Sequence, residues 1–521
     1  MRRLNLAVLA LALVPWAASR GQSPSDHQVR VAQGMLQGID AAKPGVRAFL
    51  GIPYAAPPVG NKRWAPPGPP APWQGVRPAG NFGNRCIQTH PFPDMLFQSP
   101  AESEDCLTLS VWTPAKPGDH LPVMFWIHGG GFFSGASDEQ RHDGSALASR
   151  GVVLVTINYR LGVMGFLAHP ELTAESSRHA SGNYGLMDQI AALHWVHDNI
   201  AAFGGDPNNV TIFGESAGSA AVSALMAAPL ARGLFHKALG ESGAFFGRGG
   251  LSLLPLAAAE QRGTELASAV GAKSLAELRA VPPAKLVDAV GNNLVRFSPI
   301  QDGYVLPLDP GEVFAQGRQA KVPLLAGWNS AEAKLPPTTV AAFEQQLTTA
   351  FPQDLDSGRV FYPAHDDREA RLSAIALASD NFTAFSTWKW LELHSATGGV
   401  PVYRYLFDQP MPTESTPPPP DDPGAAHAMD IEYEFQTLAS RHLAWRDVDH
   451  EVSDLTATMW TNFAKRGDPN GPGVPTWPQW NAPGEKRLMR INAAAAAEPD
   501  KDRARYEFLD RLERRKRSAG R

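Results

Sequence analysis

From about Val123 to Leu239, short and almost unbroken apolar runs alternate with a longer stretch whose apolar residues recur every three or four positions. The segments "VMFWIH", "VVLVTINY" and "NVTIFG" are short and rich in β-branched or aromatic residues, which predicts strands buried on both faces. Between the last two, "GLMDQIAALHWVHDNIAAFG" sets Leu186, Ile190, Leu193, Val196 and Ile200 at helical spacing. Strand, helix and strand in that order predict crossover connections and an α/β fold with a central, mostly parallel sheet flanked by helices. Three later runs, "HKALGES", "VPLLAGWN" and "PVYRYLF", extend the sheet. The segments between them, about 247–320 and 335–397, carry helical patches and no sheet signal. Insertions after strand ends are placed to wall a pocket. The proline run at 412–423 reads as a stiff exposed loop.

Composition changes this picture little. The 521-residue chain is 43% hydrophobic and 19% charged with a net charge of -5, which fits a soluble globular protein and leaves no basic footprint for nucleic acid. Its length suits one large α/β domain, expected over 22–510. The first residues, "MRRLNLAVLALALVPWAASRGQ", join a basic start to an apolar run and small residues, the pattern of a signal peptide over 1–21. That run is shorter than the roughly 20 apolar residues of a spanning helix, so export to a periplasmic or extracellular space is expected, without a stable membrane span after cleavage. In such a compartment Cys86 and Cys106 are expected to pair, closing a loop at a gain of roughly 3 kcal/mol. The end of the chain, "DRARYEFLDRLERRKRSAGR", reads as a solvated helix that frays into a basic, unstructured tail over 511–521.

Candidate chemistry lies in two copies of one triplet, "FGESAG" around Ser216 and "LGESGA" around Ser242. Ser216 follows a predicted strand and precedes the helix formers "SAAVSALMAAP", the strand-to-helix setting in which a tight turn lifts a serine hydroxyl clear of the backbone. Glycines at 214 and 218 permit that turn, and the helix start favours developing negative charge. Ser242 is followed by "FFGRGGLSL", whose glycines argue against a helix, so it reads as a serine at a strand end. A serine alone is too weak an acid to attack an ester; it needs a base, a group that orients the base, and donors for the oxyanion. Gly129, Gly130 and Gly131 in "WIHGGGF" offer bare amides directly after a strand. Enzymes of this layout run serine, acid, histidine along the chain, which restricts the base to His236, His365, His394, His427, His442 or His450. His427 follows the last predicted strand, and Glu332 follows "VPLLAGWN".

At this point a family comes into view. "GNYGLMDQIAALHWVHDNIAAFGGDPNNVTIFGESAGS" resembles the type-B carboxylesterases and lipases, and "FLGIPYAAPPVGNKRW", "SEDCLTLSVWTP", "WIHGGGFFSG", "TINYRLGVMGFL", "AGWNSAEA", "HAMDIEYEF" and "WTNFAKRGDPN" resemble family segments in family order. The resemblance implies an α/β-hydrolase fold whose insertions wall an active-site gorge, and carboxylic ester hydrolysis without metal or organic cofactor. It implies Ser216 as nucleophile, Glu332 as acid and His427 as base, with an oxyanion hole from the amides of Gly130, Gly131 and Ala217. It also matches Cys86 and Cys106 to a family disulfide, and pairs Arg63 with Glu104 and Arg160 with Asp188. Ser242 resembles a serine that bonds into the acid and histidine region without attacking substrate.

Several departures carry expectations of their own. Family members have glutamine where Glu241 stands; an inward Glu241 would join Glu215, Glu332 and Asp430 near His427 and raise the imidazole pKa. Ala333 stands where glycine is usual after the acid. The loop between the cysteines has no tryptophan, the residue by which cholinesterases hold a quaternary ammonium, so choline esters are not favoured. Phe245, Phe246 and Phe297 are expected along the acyl side of the pocket, the partner there being a small-molecule ester. His194 and His197 share a helix face without a third ligand, and Asn209 and Asn381 sit in sequons short enough to arise by chance. The rival reading is a binding or adhesion module on the same fold, disfavoured because the serine, acid, histidine and glycines are all in place. The sequence does not settle the oligomeric state.

Overall fold

The computed structural model describes residues 27–247, 253–336, 338–418 and 422–519; the expected signal peptide lies outside the described residues. At its centre is an eleven-stranded sheet. In chain order its strands are β1 (Ile39–Asp40), β2 (Arg47–Pro53), β3 (Thr108–Thr113), β4 (Leu121–Ile127), β5 (Val153–Ile157), β6 (Gly205–Glu215), β7 (Lys237–Glu241), β8 (Leu324–Asn329), β9 (Val402–Phe407), β10 (Arg487–Ile491) and β11 (Ala496–Pro499). Spatially they run β11-β10-β9-β8-β7-β6-β4-β5-β3-β2-β1. From β5 to β10 every neighbouring pair is parallel. Both edges are antiparallel.

All six runs picked out by apolar pattern are strands β4 to β9, and they are buried along most of their length because helices cover both faces of the sheet. Five strands escaped notice: the edge strands β1 and β11 are short and not buried, whereas β2, β3 and β10 are mostly buried but mix polar with apolar residues and carry a weaker signal. The sheet therefore continues past the expected last strand, with β10 and β11 added after His427.

The helix α1 (Tyr184–Asn199) buries Leu186, Ile190, Leu193 and Val196, and Ile200 caps its end in a short 3-10 turn. Two apolar clusters result, one on each face. Phe125, Ile127, Ile212 and Ala238 belong to the first; Trp126, Phe213, Leu239 and Tyr405 belong to the second, with α2 (Asp447–Arg466) packed on that side. The period of two along each strand thus sorts neighbouring residues to opposite faces.

The insertion at 247–320 folds mainly as helices, with a two-residue ladder between Leu254–Pro255 and Ile300–Gln301 that its pattern did not announce. The end of the chain also departs from expectation. A helix, α3 (Arg503–Ala519), runs through the described residues of the segment expected to be unstructured. Tyr506, Leu509 and Leu512 bury one stripe of it, and Asp510 pairs with Lys389 at 2.7 Å. The apolar residues at spacing three leave Arg511, Arg514, Arg515 and Lys516 on the solvent side, so charge there marks an outer face of the helix.

The disulfide between Cys86 and Cys106 is formed. Both expected ion pairs are present as two-pronged contacts: Arg63 Nε and Nη2 reach Glu104 at 2.6 Å each, and Arg160 Nε and Nη2 reach Asp188 at 2.8 and 2.7 Å.

Candidate active site

Strand β6 ends at Glu215, and the chain turns at once into the helix Ala217–Ala227, with Ser216 between them at φ 56° and ψ -117°. That left-handed conformation is rare for a residue with a side chain, and here it is clamped: the Ser216 amide donates to the Glu241 carbonyl of β7 at 2.8 Å. A Cβ at Gly218 would run into the Ile127 carbonyl of β4, so the motif's second glycine lets helix and strand touch.

His427 stands over the end of this turn. Its Nε2 lies 2.9 Å from Ser216 Oγ and its Nδ1 lies 2.6 Å from Glu332 Oε2. Glu332, in the turn after β8, is buried, and its other oxygen accepts from Ser242 Oγ at 2.5 Å and from the Asn329 amide at 2.7 Å. Asn329 in turn donates from its side chain to the Ala426 carbonyl at 2.8 Å and to Asp430 at 3.0 Å, tying strand end and histidine loop together. Of the six histidines that chain order allowed, His427 is thus the one bonded to both the serine and the acid.

The charges around the imidazole set its basicity. Burial disfavours the charged ring, but the carboxylates of Glu215 and Glu332, with Asp430 behind them, outweigh this and raise its pKa to about 9. Glu215 Oε1 is 3.3 Å from Nε2, and burial raises this carboxyl to about 8 against the pull of the imidazolium. Asp430 is raised by burial to about 6.

Glu241 does not join this group. Leu239 and Glu241 are two apart on β7 and so lie on the same face, toward α2, where Glu241 Oε1 accepts from Trp460 Nε1 at 2.7 Å and the carboxyl bonds to Glu434. Burial raises both carboxyls well above their usual range, and a hydrogen bond between them needs a proton on one. The raised histidine was expected from Glu215, Glu332 and Asp430 joined by an inward Glu241; it arises from the first three, without Glu241.

A cavity of about 340 Å³ opens above Ser216 and His427, with Gly130, Gly131, Phe133, Arg141 and Phe382 in its wall. Gly130 and Gly131 adopt φ of 95° and 64°, and Ala217 is the first helical residue after the serine. Phe92, Asp94 and Met95, from the loop closed by the disulfide, complete one side. The three phenylalanines expected here lie elsewhere. Phe245 stacks on Phe132, Phe246 packs against Phe314 and Trp390, and all of Phe245, Phe246 and Phe297 are buried outside this wall. Their apolar character served the core, and sequence alone does not separate core from pocket.

Phe382 went unnoticed for a different reason. It sits in a π-helical turn, Asp380–Ala384, inserted between two α-helices, which turns its ring against His427 with centroids 4.6 Å apart. Turns of this kind interrupt the regular register and gather at functional sites, but leave no periodic signature.

The sequence profile of the carboxylesterase family matches residues 25–509. The chain belongs to the carboxylesterase family. It is a carboxylic ester hydrolase of α/β-hydrolase fold. It is 35% identical over 508 residues to a fumonisin B1 esterase of Sphingopyxis macrogoltabida, an alignment covering 92% of this chain and 88% of that protein. A para-nitrobenzyl esterase of Bacillus subtilis is 34% identical over 481 residues, covering 89% and 94%. A human cocaine esterase is 34% identical over 512 residues, covering 89% and 86%. Among the described residues of this carboxylesterase, no helix is long and apolar enough to cross a membrane, and no group of three or more His, Cys, Asp or Glu is arranged to hold a metal ion.

Proposed function

We propose that this carboxylesterase cleaves small-molecule esters through an acyl-enzyme intermediate, with Ser216 as nucleophile, His427 as base and Glu332 as the acid that orients it. The continuous chain of contacts from Ser216 Oγ through both ring nitrogens of His427 to Glu332 carries this reading. His427 takes the Ser216 proton as the oxygen attacks the ester carbonyl. The amides of Gly130, Gly131 and Ala217 receive the oxyanion, and loss of one such donor costs roughly 2.7 to 4 kcal/mol of transition-state stabilisation. His427 then returns the proton to the departing alcohol, and water repeats the sequence on the acyl-enzyme.

Glu332 is anchored on two sides, by Ser242 and by the Asn329 amide, so it holds the Nδ1 proton in place and stabilises the imidazolium that forms. Ser242 is a positioning residue. Glu215 supports the same charged state from the Nε2 side. Relatives are named for unlike esters, so what they share is the bond cleaved and not the groups around it.

Export to an oxidising compartment is part of the proposal, supported by the apolar leader pattern and by a disulfide that such a compartment preserves. The direct test of the site is labelling with a fluorophosphonate followed by peptide mapping. Label on Ser216 is expected, and label on Ser242 with none on Ser216 would overturn the assignment.

A further inference from the structure

The cavity above Ser216 is walled largely by apolar side chains, among them Phe92, Met95, Phe133, Val295 and Phe382, yet the guanidinium-bearing Arg141 is part of the same wall. A buried arginine is expensive to keep unless its donors are matched. Two of them are: Nε and Nη2 bond to the buried Glu139 at 2.9 and 2.8 Å. The remaining arm, Nη1, has Asp94 Oδ2 at 3.5 Å. Charge-assisted N–H···O bonds close to about 2.7–2.9 Å, so this pair is loose. The Asp94 side chain is 41% exposed and lies on the loop closed by the disulfide.

We propose that Nη1 of Arg141 receives a carboxylate carried by the substrate, so that the enzyme prefers acidic esters, those bearing a carboxylate a few bonds from the scissile carbonyl. This rests on the ester-hydrolase reading of the same cavity. Four acids surround the guanidinium: Glu139, Glu432, Asp94 and Glu215. Glu139 is held by Arg141 itself, and Glu432 is buried and also bonded to Arg441 at 3.2 Å. Glu215 is engaged on its other side, with Oε1 3.3 Å from His427 Nε2. Asp94 is the exposed competitor, and an incoming carboxylate would displace it toward solvent at little cost, because an exposed ion pair contributes about 0–1 kcal/mol. The apolar walls make the new pair stronger than it would be in water.

The test compares kcat/KM on two matched pairs of esters. The first sets 4-nitrophenyl hydrogen adipate against 4-nitrophenyl hexanoate, with the carboxylate on the acyl side. The second sets 4-acetoxybenzoate against 4-methylphenyl acetate, with the carboxylate on the alcohol side. Each rate is corrected for uncatalysed hydrolysis. The native protein is expected to favour the acid of at least one pair. In Arg141→Gln the acid-to-neutral ratio should fall about 10- to 100-fold, the range of a charge-assisted hydrogen bond. In Asp94→Asn, a change on an exposed loop side chain, the same ratio should rise about threefold or more. Opposite movement of the two variants is the expected signature. Ratios unmoved in Asp94→Asn, or no preference for either acid by native enzyme, would overturn this inference and leave the hydrolase reading standing. Native protein inactive on all four esters would overturn both.

Discussion

Two stretches of the same spelling, Gly214-Glu215-Ser216 and Gly240-Glu241-Ser242, end neighbouring parallel strands in matching register, with Gly214 opposite Gly240 and Glu215 opposite Glu241. Both serines take left-handed backbone angles, φ 56° and 57°. Their side chains nonetheless do different things. Ser216 opens an eleven-residue helix and meets the imidazole, whereas Ser242 bonds the acid behind that imidazole. The glutamates diverge as well: Glu215 lies 3.3 Å from His427, and Glu241 turns to Trp460 and Glu434. Identical local sequence on one sheet thus yields the proposed attacking serine, a serine bonded to the acid, a glutamate beside the imidazole and a buried carboxyl pair, according to what each position faces.

Exchange of the serines separates the copies most widely. Ser216→Ala should lower kcat about 10⁴-fold or more, since the attacking oxygen is gone. Ser242→Ala should lower it only about tenfold, because Glu332 keeps the Asn329 amide and loses one buried hydrogen bond. Steady-state kinetics on a p-nitrophenyl ester measures both, and equal losses would erase the contrast.

Next come the glutamates. Catalysis needs the neutral imidazole, and with His427 raised to about 9 the rate of native enzyme should climb as pH rises through that value. Glu215→Gln removes a carboxylate that favours the imidazolium, so the acid limb of kcat/KM should move down by about one pH unit. In Glu241→Gln the limb should stay where it is.

The smallest effect expected is on stability in Glu241→Gln. Burial raises the folded pKa of Glu241 above its unfolded value, so the unfolded chain releases this proton first as pH rises. The glutamate therefore opposes folding increasingly above the usual carboxylate range and has no such effect below it. Glutamine, which can still accept from Trp460, should leave Tm unchanged in acid and raise it by a few degrees near neutral pH. A Tm that falls at both pH values would place the Trp460 contact above the titration in importance.

Much of this protein was legible from residues alone. The apolar runs located β4 to β9, and the difference between helix formers after Ser216 and glycines after Ser242 separated the proposed nucleophile from its proposed support. Chain order with the family resemblance then pointed to Glu332 and His427. What escaped was whatever depends on direction. Phe245, Phe246 and Phe297 have the composition of a pocket wall but the placement of a core. Glu241 required the alternation along β7 to be followed to its end, and its partner Glu434 required knowledge of which elements lie behind the sheet. Phe382 depends on a π-turn, and Arg141 and Asp94 on a loop folding back over the strand ends.

The division has a physical basis. Periodicity, turn chemistry and motif spacing are local, so the sequence by itself determined the central strands, the helix between them, the elbow at Ser216 and the residues proposed to react. Which way a side chain points, how far water is excluded from it and which charges share its surroundings are set by residues distant in the chain. The pKa of His427, the separate fates of Glu215 and Glu241, and the arginine in the cavity wall were decided only when tertiary packing brought those residues together.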